Sequence, residues 1–344
     1  MTIVRRLIAA ASWLCAAVVL FYWLALRFVG ESWWLTTVAL YLPQVVLLLP
    51  IILLAIALAF VGPRRLLLLQ AAAAWVVLFP IMGLTLSGPT RATPGLPRLR
   101  VLSFNTDSGA RSIPAMVAEI QATRPDVVLL QESATGVNDA VAAALPLYQT
   151  LTSTQFFVAS RYPIVDVFDP PKVTLGGVAR SSRVVRVTLD TSLSRLDVYN
   201  VHPISPRDAL DSVHGDGLVV GLRTGAIFEG DRRVITSNTA LRRAQLELIA
   251  SLAAASPNPV LIAGDTNLPG PSRILADTLG GWQDGFATVG RGFGYTFPVG
   301  RRGAWMRIDR ILAGPELRFL EFGVGNGRGS DHHCVWADLE RVPR

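Results

Sequence analysis

The chain has 344 residues, 51% of them hydrophobic, with a formal net charge of +7 and a mean hydropathy of +0.42. This apolar content is too high for an ordinary soluble protein. Its two cysteines, Cys15 and Cys334, lie in unrelated segments, which argues against an internal disulfide and excludes a zinc site built from cysteine.

Three long apolar runs occupy the first quarter of the chain: Leu7–Leu26, Leu35–Val61 and Leu66–Leu86. Each is long enough to cross a hydrocarbon core of about 30 Å as a helix. A cleaved signal peptide would also explain the first run, but two further runs favour an anchor with three transmembrane helices. We therefore expect a multi-pass protein of the cell membrane.

Paired arginines flank these runs and predict the orientation. Arg5 and Arg6 precede the first run, and Arg64 and Arg65 lie between the second and third. Positive residues in short loops stay in the cytoplasm, so an odd number of spans would place the rest of the chain outside it. Arg91, beyond the third run, argues mildly against this topology.

The positive charge does not by itself indicate a nucleic-acid groove. Residues 1–89 hold five arginines and one acid, which leaves 27 basic and 24 acidic residues for the remainder. Most of the excess positive charge therefore lies in the predicted membrane anchor, where arginines determine the topology. Nucleic acid is the less favoured partner.

The remainder of the chain has the pattern of an α/β protein. We assign residues 1–88 to the membrane anchor, 89–97 to a linker rich in Pro, Gly and Thr, and 98–344 to a single large domain. Short apolar runs such as "RVLSF", "DVVLLQ" and "PVLIAG" predict strands, and "SIPAMVAEIQAT" has helical spacing. The expected fold is a layered α/β sandwich.

Acids, amides and imidazoles collect at the ends of these strands, where loops carry chemistry on a rigid scaffold. Each taken alone has an ordinary structural explanation, such as a turn or a solvated carboxylate. The residues are Asn105, Asp107, Glu132, His202, Asp265, Asn267, Asp331 and His332.

Asp309 differs because it lies inside the apolar run "MRIDRILA". An acid buried there needs a partner, and a histidine is the least costly one. His332 in "SDHH" offers such a partner, and a carboxylate that orients an imidazole is a recurrent catalytic pair.

These motifs, in this order, resemble the endonuclease/exonuclease/phosphatase superfamily, which includes deoxyribonucleases, inositol-polyphosphate phosphatases and neutral sphingomyelinases. The resemblance covers about Arg98–Leu339, and "ASRYPI", "GWQDGF" and "GYTFP" resemble its connecting motifs. The layout also resembles bacterial membrane proteins associated with vancomycin or teicoplanin resistance. The resemblance implies a four-layer sandwich of two packed sheets flanked by helices, with the site at one end.

The resemblance also implies a role for each site residue. Glu132 would be the main metal ligand, with Asn105, Asp107 and Asp331 near the metal, although Asp107 is not universal in the family. Asp265 would orient or deprotonate the attacking water, and His332, oriented by Asp309, would stabilise developing charge. Asn267 and His202 would contact the phosphoryl group.

The chemistry of the residues also predicts a divalent metal ion. Hydrolysis of a phosphate ester needs a cation to neutralise the transition state and a positioned water. Clustered carboxylates repel one another without a cation, and oxygen ligands suit Mg²⁺, with Mn²⁺ as the alternative. We therefore predict a divalent metal cofactor.

Two further histidines are interpreted differently. His333 would point away from His332 in an extended segment and is interpreted as structural. His214 lies in the long Gly-rich stretch 205–239, for which we hypothesise a role in substrate choice.

Three functions remain open from the sequence. The first is a membrane-anchored phosphatase or phosphodiesterase acting on a lipid-linked phosphate, because the anchor raises the local concentration of lipid headgroups. The second is a membrane-tethered nuclease, and the third is a scaffold that only binds a partner. The full catalytic set argues against the third.

Overall fold

The structure is a computed structural model that describes residues 3–211, 230–300 and 303–342. The chain divides into two compact units. The first comprises Met1–Thr85 with Pro269–Leu275, and the second comprises Leu86–Leu268 with Ala276–Arg344. His214 and most of the stretch interpreted as a specificity loop lie outside the described residues.

The first unit is helical. Its helices are α1 (Ile3–Leu24), α2 (Trp34–Tyr41), α3 (Leu48–Phe60) and α4 (Leu67–Val76), and π-helical turns Ala25–Val29 and Val77–Ile81 extend α1 and α4. Large apolar side chains such as Phe21, Phe60 and Leu68 are exposed on this unit. A lipid environment would accommodate such side chains, whereas water would not.

Two helical stretches of this unit, Ile3–Ser32 and Arg64–Ile81, are long and apolar enough to cross a membrane. The pair Trp34–Tyr41 and Gln44–Phe60 is bent by 94° and adds a third span only if it crosses as one. Pro43 lies at the bend, where its ring and missing N–H interrupt the helix and Leu42 is extended. The second predicted run is thus a broken helix, and the described residues offer two or three spans.

The described residues of the second unit form two six-stranded sheets and a two-stranded hairpin. The first sheet has the order β13-β14-β1-β2-β4-β3. Its strands are β1 (Leu99–Asn105), β2 (Val127–Gln131), β3 (Gln149–Ser153), β4 (Phe156–Ser160), β13 (Leu317–Val324) and β14 (Val335–Arg341).

The second sheet has the order β11-β12-β10-β9-β8-β5. Its strands are β5 (Ile164–Phe168), β8 (Val184–Asp190), β9 (Arg195–Val201), β10 (Val260–Asp265), β11 (Gln283–Asp284) and β12 (Asp309–Ala313); the hairpin is β6 (Val173–Leu175) with β7 (Val178–Arg180).

The helices of this unit connect the strands. They are α5 (Ile113–Thr123), α6 (Thr135–Ala144), α7 (Arg207–Asp211), α8 (Gly230–Ala254), α9 (Arg273–Leu279), which begins in the first unit's segment, and α10 (Gly285–Val289).

The main core lies between the two sheets, where side chains such as Val101 and Leu129 of the first sheet cluster with Val198 and Ile311 of the second. A second cluster joins the outer side of the first sheet to α5 and α6, for example Leu130 with Met116. The predicted α/β sandwich is confirmed: two mixed sheets are packed together and flanked by helices.

Each sheet contains one parallel pair, β1 with β2 and β9 with β10, and its other pairs are antiparallel. The strands β12 and β14 run antiparallel to β10 and β1. The carboxyl ends of the parallel strands and the amino ends of β12 and β14 therefore meet at one end of the sandwich. Functional sites form at such strand ends in α/β proteins.

Candidate active site

An asparagine and two acids join the two sheets at this end. Asn105, the last residue of β1, donates from Nδ2 to Asp265 Oδ2 at 3.1 Å and to Glu132 Oε1 at 3.3 Å. Asp265 is the last residue of β10, and Glu132 follows β2. One amide thus holds two carboxylates that the sequence places more than 130 positions apart.

Glu132 has a backbone conformation that β2 cannot continue. Its φ of 47° lies in the left-handed region, which costs an L residue about 1–2 kcal/mol. Strain of this kind accumulates at functional sites, where the surrounding structure enforces it. Here it ends the strand and leaves the Glu132 side chain 36% exposed while Asp265 is buried.

Burial dominates the electrostatics of these acids. Desolvation raises the pKa of Glu132, the hydrogen bond from Asn105 opposes that rise, and the charge of Asp265 adds to it. Desolvation also raises the pKa of Asp265, against the lowering effect of His332. Carboxylates destabilised in this way gain from a nearby cation.

His332 and Asp309 form the pair predicted from the sequence. His332 Nδ1 lies 2.9 Å from Asp309 Oδ2, and both side chains are buried. Asp309 also lies directly opposite Asp265 in the β10–β12 register. Burial lowers the pKa of His332, but Asp309 and Asp265 outweigh that effect and raise it to about 9. His332 is therefore a cation at neutral pH.

His202 has the opposite character. Its Nδ1 contacts Gln155 Oε1 at 2.7 Å, which assigns the proton to Nδ1, and its Nε2 lies 3.2 Å from Glu132 Oε1 and 3.6 Å from Asp265 Oδ2. Burial lowers the pKa of His202 to about 4. Among the described residues Nε2 has no hydrogen-bond partner, so a neutral ring aims an unused nitrogen at the carboxylates.

The remaining predicted residues lie around this centre. Asp331 Oδ1 is 3.9 Å from His332 Nε2. Asp107 donates its backbone N–H to Asn105 Oδ1, and its side chain interacts electrostatically with Asp331. Asn267 donates from its backbone to Asp265 Oδ1 at 2.8 Å and from Nδ2 to Pro203 O at 3.0 Å. The side chain of Asn267 thus contacts the loop after His202.

His333 lies apart from these contacts, as its interpretation as a structural residue expects. Its backbone N–H donates to Thr296 O, and its ring lies against Gly327, where an added Cβ would stand 2.6 Å from His333 Cε1. The imidazole is therefore packed against backbone.

Several residues of the site were missed by the sequence reasoning. Gln155 orients His202, Arg207 contacts Asp331 at 2.9 Å, and the Phe297 ring lies 4.6 Å from the His332 ring. Phe297 lies in "GYTFP", a segment that resembles a connecting motif of the family and carries no sign of a role in the site. Nothing in the local sequence of Gln155 or Arg207 signalled these long-range contacts.

Two groups of donors fit a divalent cation to different degrees. Asp265, Asp309 and His332 offer ligand atoms within 4.8 Å of one another. However, Asp309 is already hydrogen-bonded to His332 Nδ1, and His332 Nε2 faces Asp265 at 3.8 Å, so this group is better described as a histidine held between two carboxylates. The oxygens near Asn105, together with the open side chain of Glu132, have the hard-ligand chemistry that Mg²⁺ prefers.

Comparison with known proteins agrees with this geometry. The endonuclease/exonuclease/phosphatase family matches residues 102–332, which is more than half of the chain. The chain belongs to this family. As a member, it is a metal-dependent phosphoester hydrolase, and the enzyme class predicted from the sequence is confirmed. The resistance-associated membrane subtype is not confirmed.

Solved structures with the same fold are distant in sequence. A humanised TDP2 of D. rerio is 18% identical, covering 71% of this chain and 99% of its own, with a TM-score of 0.51. A 3′-5′ exonuclease of Neisseria meningitidis is 17% identical, covering 70% and 100%, with a TM-score of 0.50. TDP2 of Caenorhabditis elegans is 18% identical, covering 83% of both chains, with a TM-score of 0.51. No curated protein matches the chain.

Proposed function

We propose that this member of the endonuclease/exonuclease/phosphatase family is a membrane-anchored, Mg²⁺-dependent hydrolase of lipid-linked phosphate esters or anhydrides. The observation that carries the proposal is that one chain joins helices apolar enough to cross a membrane to a domain of a phosphoester hydrolase family. Tethering an enzyme to a bilayer raises its effective concentration toward lipid headgroups.

We assign the activation of the attacking water to Asp265 and the stabilisation of the developing negative charge to His332. Asp265 is a buried base beside a cationic ring, with His332 Nε2 3.8 Å from Asp265 Oδ2. A raised pKa makes its carboxylate a better proton acceptor from water. The protonated His332 would stabilise negative charge on the phosphoryl oxygens, and Asp309 would hold the ring in place.

Asn105, Asp107, Glu132 and Asp331 are the residues we assign to the metal. A bound Mg²⁺ would supply a Lewis acid that neutralises phosphoryl charge. His202 and Asn267 face the same space and are assigned to the phosphoryl group; the unprotonated Nε2 of His202 is an acceptor, so it would contact an oxygen that carries a proton. In this arrangement the carboxylates face the ion, and the protonated His332 is the donor to the substrate.

The catalytic unit is proposed to lie outside the cytoplasm. The arginine pairs at residues 5–6 and 64–65 would remain in the cytoplasm. The number of spans is odd only if the bent pair α2 and α3 crosses the membrane once, as one span. Single cysteines introduced at exposed positions of a protein in which Cys15 and Cys334 are replaced by Ala test this in intact cells. Labelling of Arg195→Cys but not of Arg64→Cys by an impermeant maleimide supports the topology, and the reverse pattern refutes it.

Full-length enzyme in vesicles of phosphatidylethanolamine and phosphatidylglycerol tests the activity. With Mg²⁺ it should release phosphate from polyprenyl monophosphate or diphosphate, and chelator should stop the release. Cleavage of plasmid DNA without lipid phosphatase activity, with binding that falls steeply with salt, would instead identify the tethered nuclease.

A further inference from the structure

Arg207 lies at the mouth of the candidate site and has no role in the assignments above. It is the first residue of α7, and its side chain is 51% exposed. Its Nη2 lies 2.9 Å from Asp331 Oδ2, and its guanidinium is 5.4 Å from the centre of the Phe297 ring. Contacts with two separate segments therefore hold an accessible arginine in place.

Arg207 is a cation because a guanidinium stays protonated throughout the physiological pH range. His332 lies on the other side of Asp331, where its Nδ1 contacts Asp309 and its Nε2 faces Asp265. A guanidinium also presents a planar fork that matches two phosphate oxygens.

The spacing between Arg207 and His332 is short. One carboxylate lies between the two side chains, because Asp331 Oδ2 lies 2.9 Å from Arg207 Nη2 and Asp331 Oδ1 lies 3.9 Å from His332 Nε2. An anion that reaches both Arg207 Nη2 and His332 Nε2 therefore needs to span little more than one carboxyl group and its two neighbouring gaps. Two phosphoryl groups joined by one bridging oxygen have this size.

We propose that Arg207 binds the leaving phosphoryl group of a diphosphate, so that the preferred scissile bond is a phosphoanhydride. This inference rests on the proposed function and names its substrate class. The water oxygen bonds to the terminal phosphorus, and the bond from that phosphorus to the bridging oxygen breaks. The electron pair stays on the bridging oxygen, which becomes a terminal oxygen of the departing monophosphate.

Protons balance within the site. One proton of the water passes to Asp265, and the other remains on the released orthophosphate. The departing monophosphate gains negative charge as the bridge breaks, and Arg207 can pair with that charge through charge-assisted hydrogen bonds. A monophosphate ester of an alcohol has no such second phosphoryl group, so Arg207 would contribute little to its hydrolysis.

The test compares farnesyl diphosphate with farnesyl monophosphate, which differ only by the second phosphoryl group. Full-length wild type, Arg207→Ala and Arg207→Lys are assayed in detergent with Mg²⁺. Arg195→Ala, an exposed arginine at the end of β9 away from His202, is the matched control. Thermal melts of all four proteins check that the folds are equally stable.

Wild type should prefer the diphosphate by about tenfold or more in kcat/KM. Arg207→Ala should lose about 10- to 100-fold on the diphosphate and less than about threefold on the monophosphate. Arg207→Lys should recover part of the loss, because it keeps the charge without the fork. Arg195→Ala should behave as wild type.

Two results would overturn the inference in distinguishable ways. Equal loss on both substrates, or no wild-type preference, refutes the diphosphate assignment while the proposed phosphate hydrolysis stands. Hydrolysis of neither substrate, with cleavage of DNA by the same preparation, refutes the proposed function as well.

Discussion

Asp309 Oδ2 lies 2.9 Å from His332 Nδ1, and this contact sets how the histidine faces the site. With Nδ1–H donated to Asp309, the other ring nitrogen points toward Asp265 at 3.8 Å. The same carboxylate helps to keep the ring protonated, although burial acts against the charge. Asp309 thus governs both the orientation and the charge of His332 without itself facing the mouth of the site.

Replacing Asp309 by Asn should therefore lower kcat about 10²- to 10⁴-fold with a smaller change in KM, because the amide cannot stabilise the cation or enforce one tautomer. Steady-state kinetics on the phosphate substrate measure this split. Asp166→Asn, which changes an acid that is 58% exposed on the edge strand β5, is the control and should match wild type. Turnover of Asp309→Asn within about threefold of wild type would show that the pair is only structural.

Glu132→Ala should abolish Mg²⁺-dependent hydrolysis, because it removes the open carboxylate at the centre of the site. Relief of repulsion among the remaining acids should leave the protein folded, so the loss is not explained by unfolding. Glu247→Ala removes an exposed acid on α8 and serves as the comparison. His332→Ala should also lose turnover; normal rates in both site variants would refute the site.

Removing the metal should stop turnover, and adding it back should show, through the melting temperature, whether Glu132 is needed to bind it. Chelation should stop turnover in wild type, and added Mg²⁺ or Mn²⁺ should restore it. Mg²⁺ at 100 times its Kd should also raise the melting temperature, since ligand binding at that excess stabilises the native state by about 2.7 kcal/mol. Glu132→Ala should show little of this shift. An equal shift in both proteins would place the ion elsewhere.

The sequence predicted the strand-end residues because strand ends are encoded locally. Asn105 and Asp265 follow apolar runs, and parallel pairing of β1 with β2 and β9 with β10 brings such ends together. Asp309 was found because an acid inside an apolar run needs a partner. Each of these inferences needed only a short window of sequence and one rule of packing.

Other contacts could not be predicted because they depend on how distant segments pack. Gln155 contacts His202 across 47 positions, and Arg207 contacts Asp331 across 124. The polarity of these side chains suits any exposed loop, so the sequence gives them no distinctive pattern. The bend at Pro43 was tolerated in the predicted second span because membrane helices accept proline, whereas the structure breaks the helix there.

A largely buried ion cluster, formed by Asp284 with two arginines, should make stability depend on pH. Asp284 accepts hydrogen bonds from Arg307 Nη1 at 2.6 Å and from Arg310 Nη1 at 2.7 Å, and Arg310 Nη2 donates to Leu268 O, next to Asn267. Burial raises the pKa of Asp284, but the two arginines outweigh it and hold the pKa well below its usual range. The cluster therefore stabilises the fold above the ordinary aspartate pKa of about 4 and loses that contribution as the pH falls toward the lowered pKa.

Asp284→Asn leaves two arginines without their carboxylate and should lower the melting temperature at pH 7 by about 6–12 °C, corresponding to about 3 kcal/mol for a domain of this size. The difference from wild type should shrink as the pH falls below about 4, because the unfolded wild type then binds a proton at Asp284 that the native state does not, which lowers the free energy of unfolding. Melts of the full chain in detergent at several pH values measure this, with Asp190→Asn at the exposed end of β8 as control. A deficit that stays constant with pH would mean that Asp284 acts through its cap on α10, where it accepts from Ala287 N, rather than through its charge.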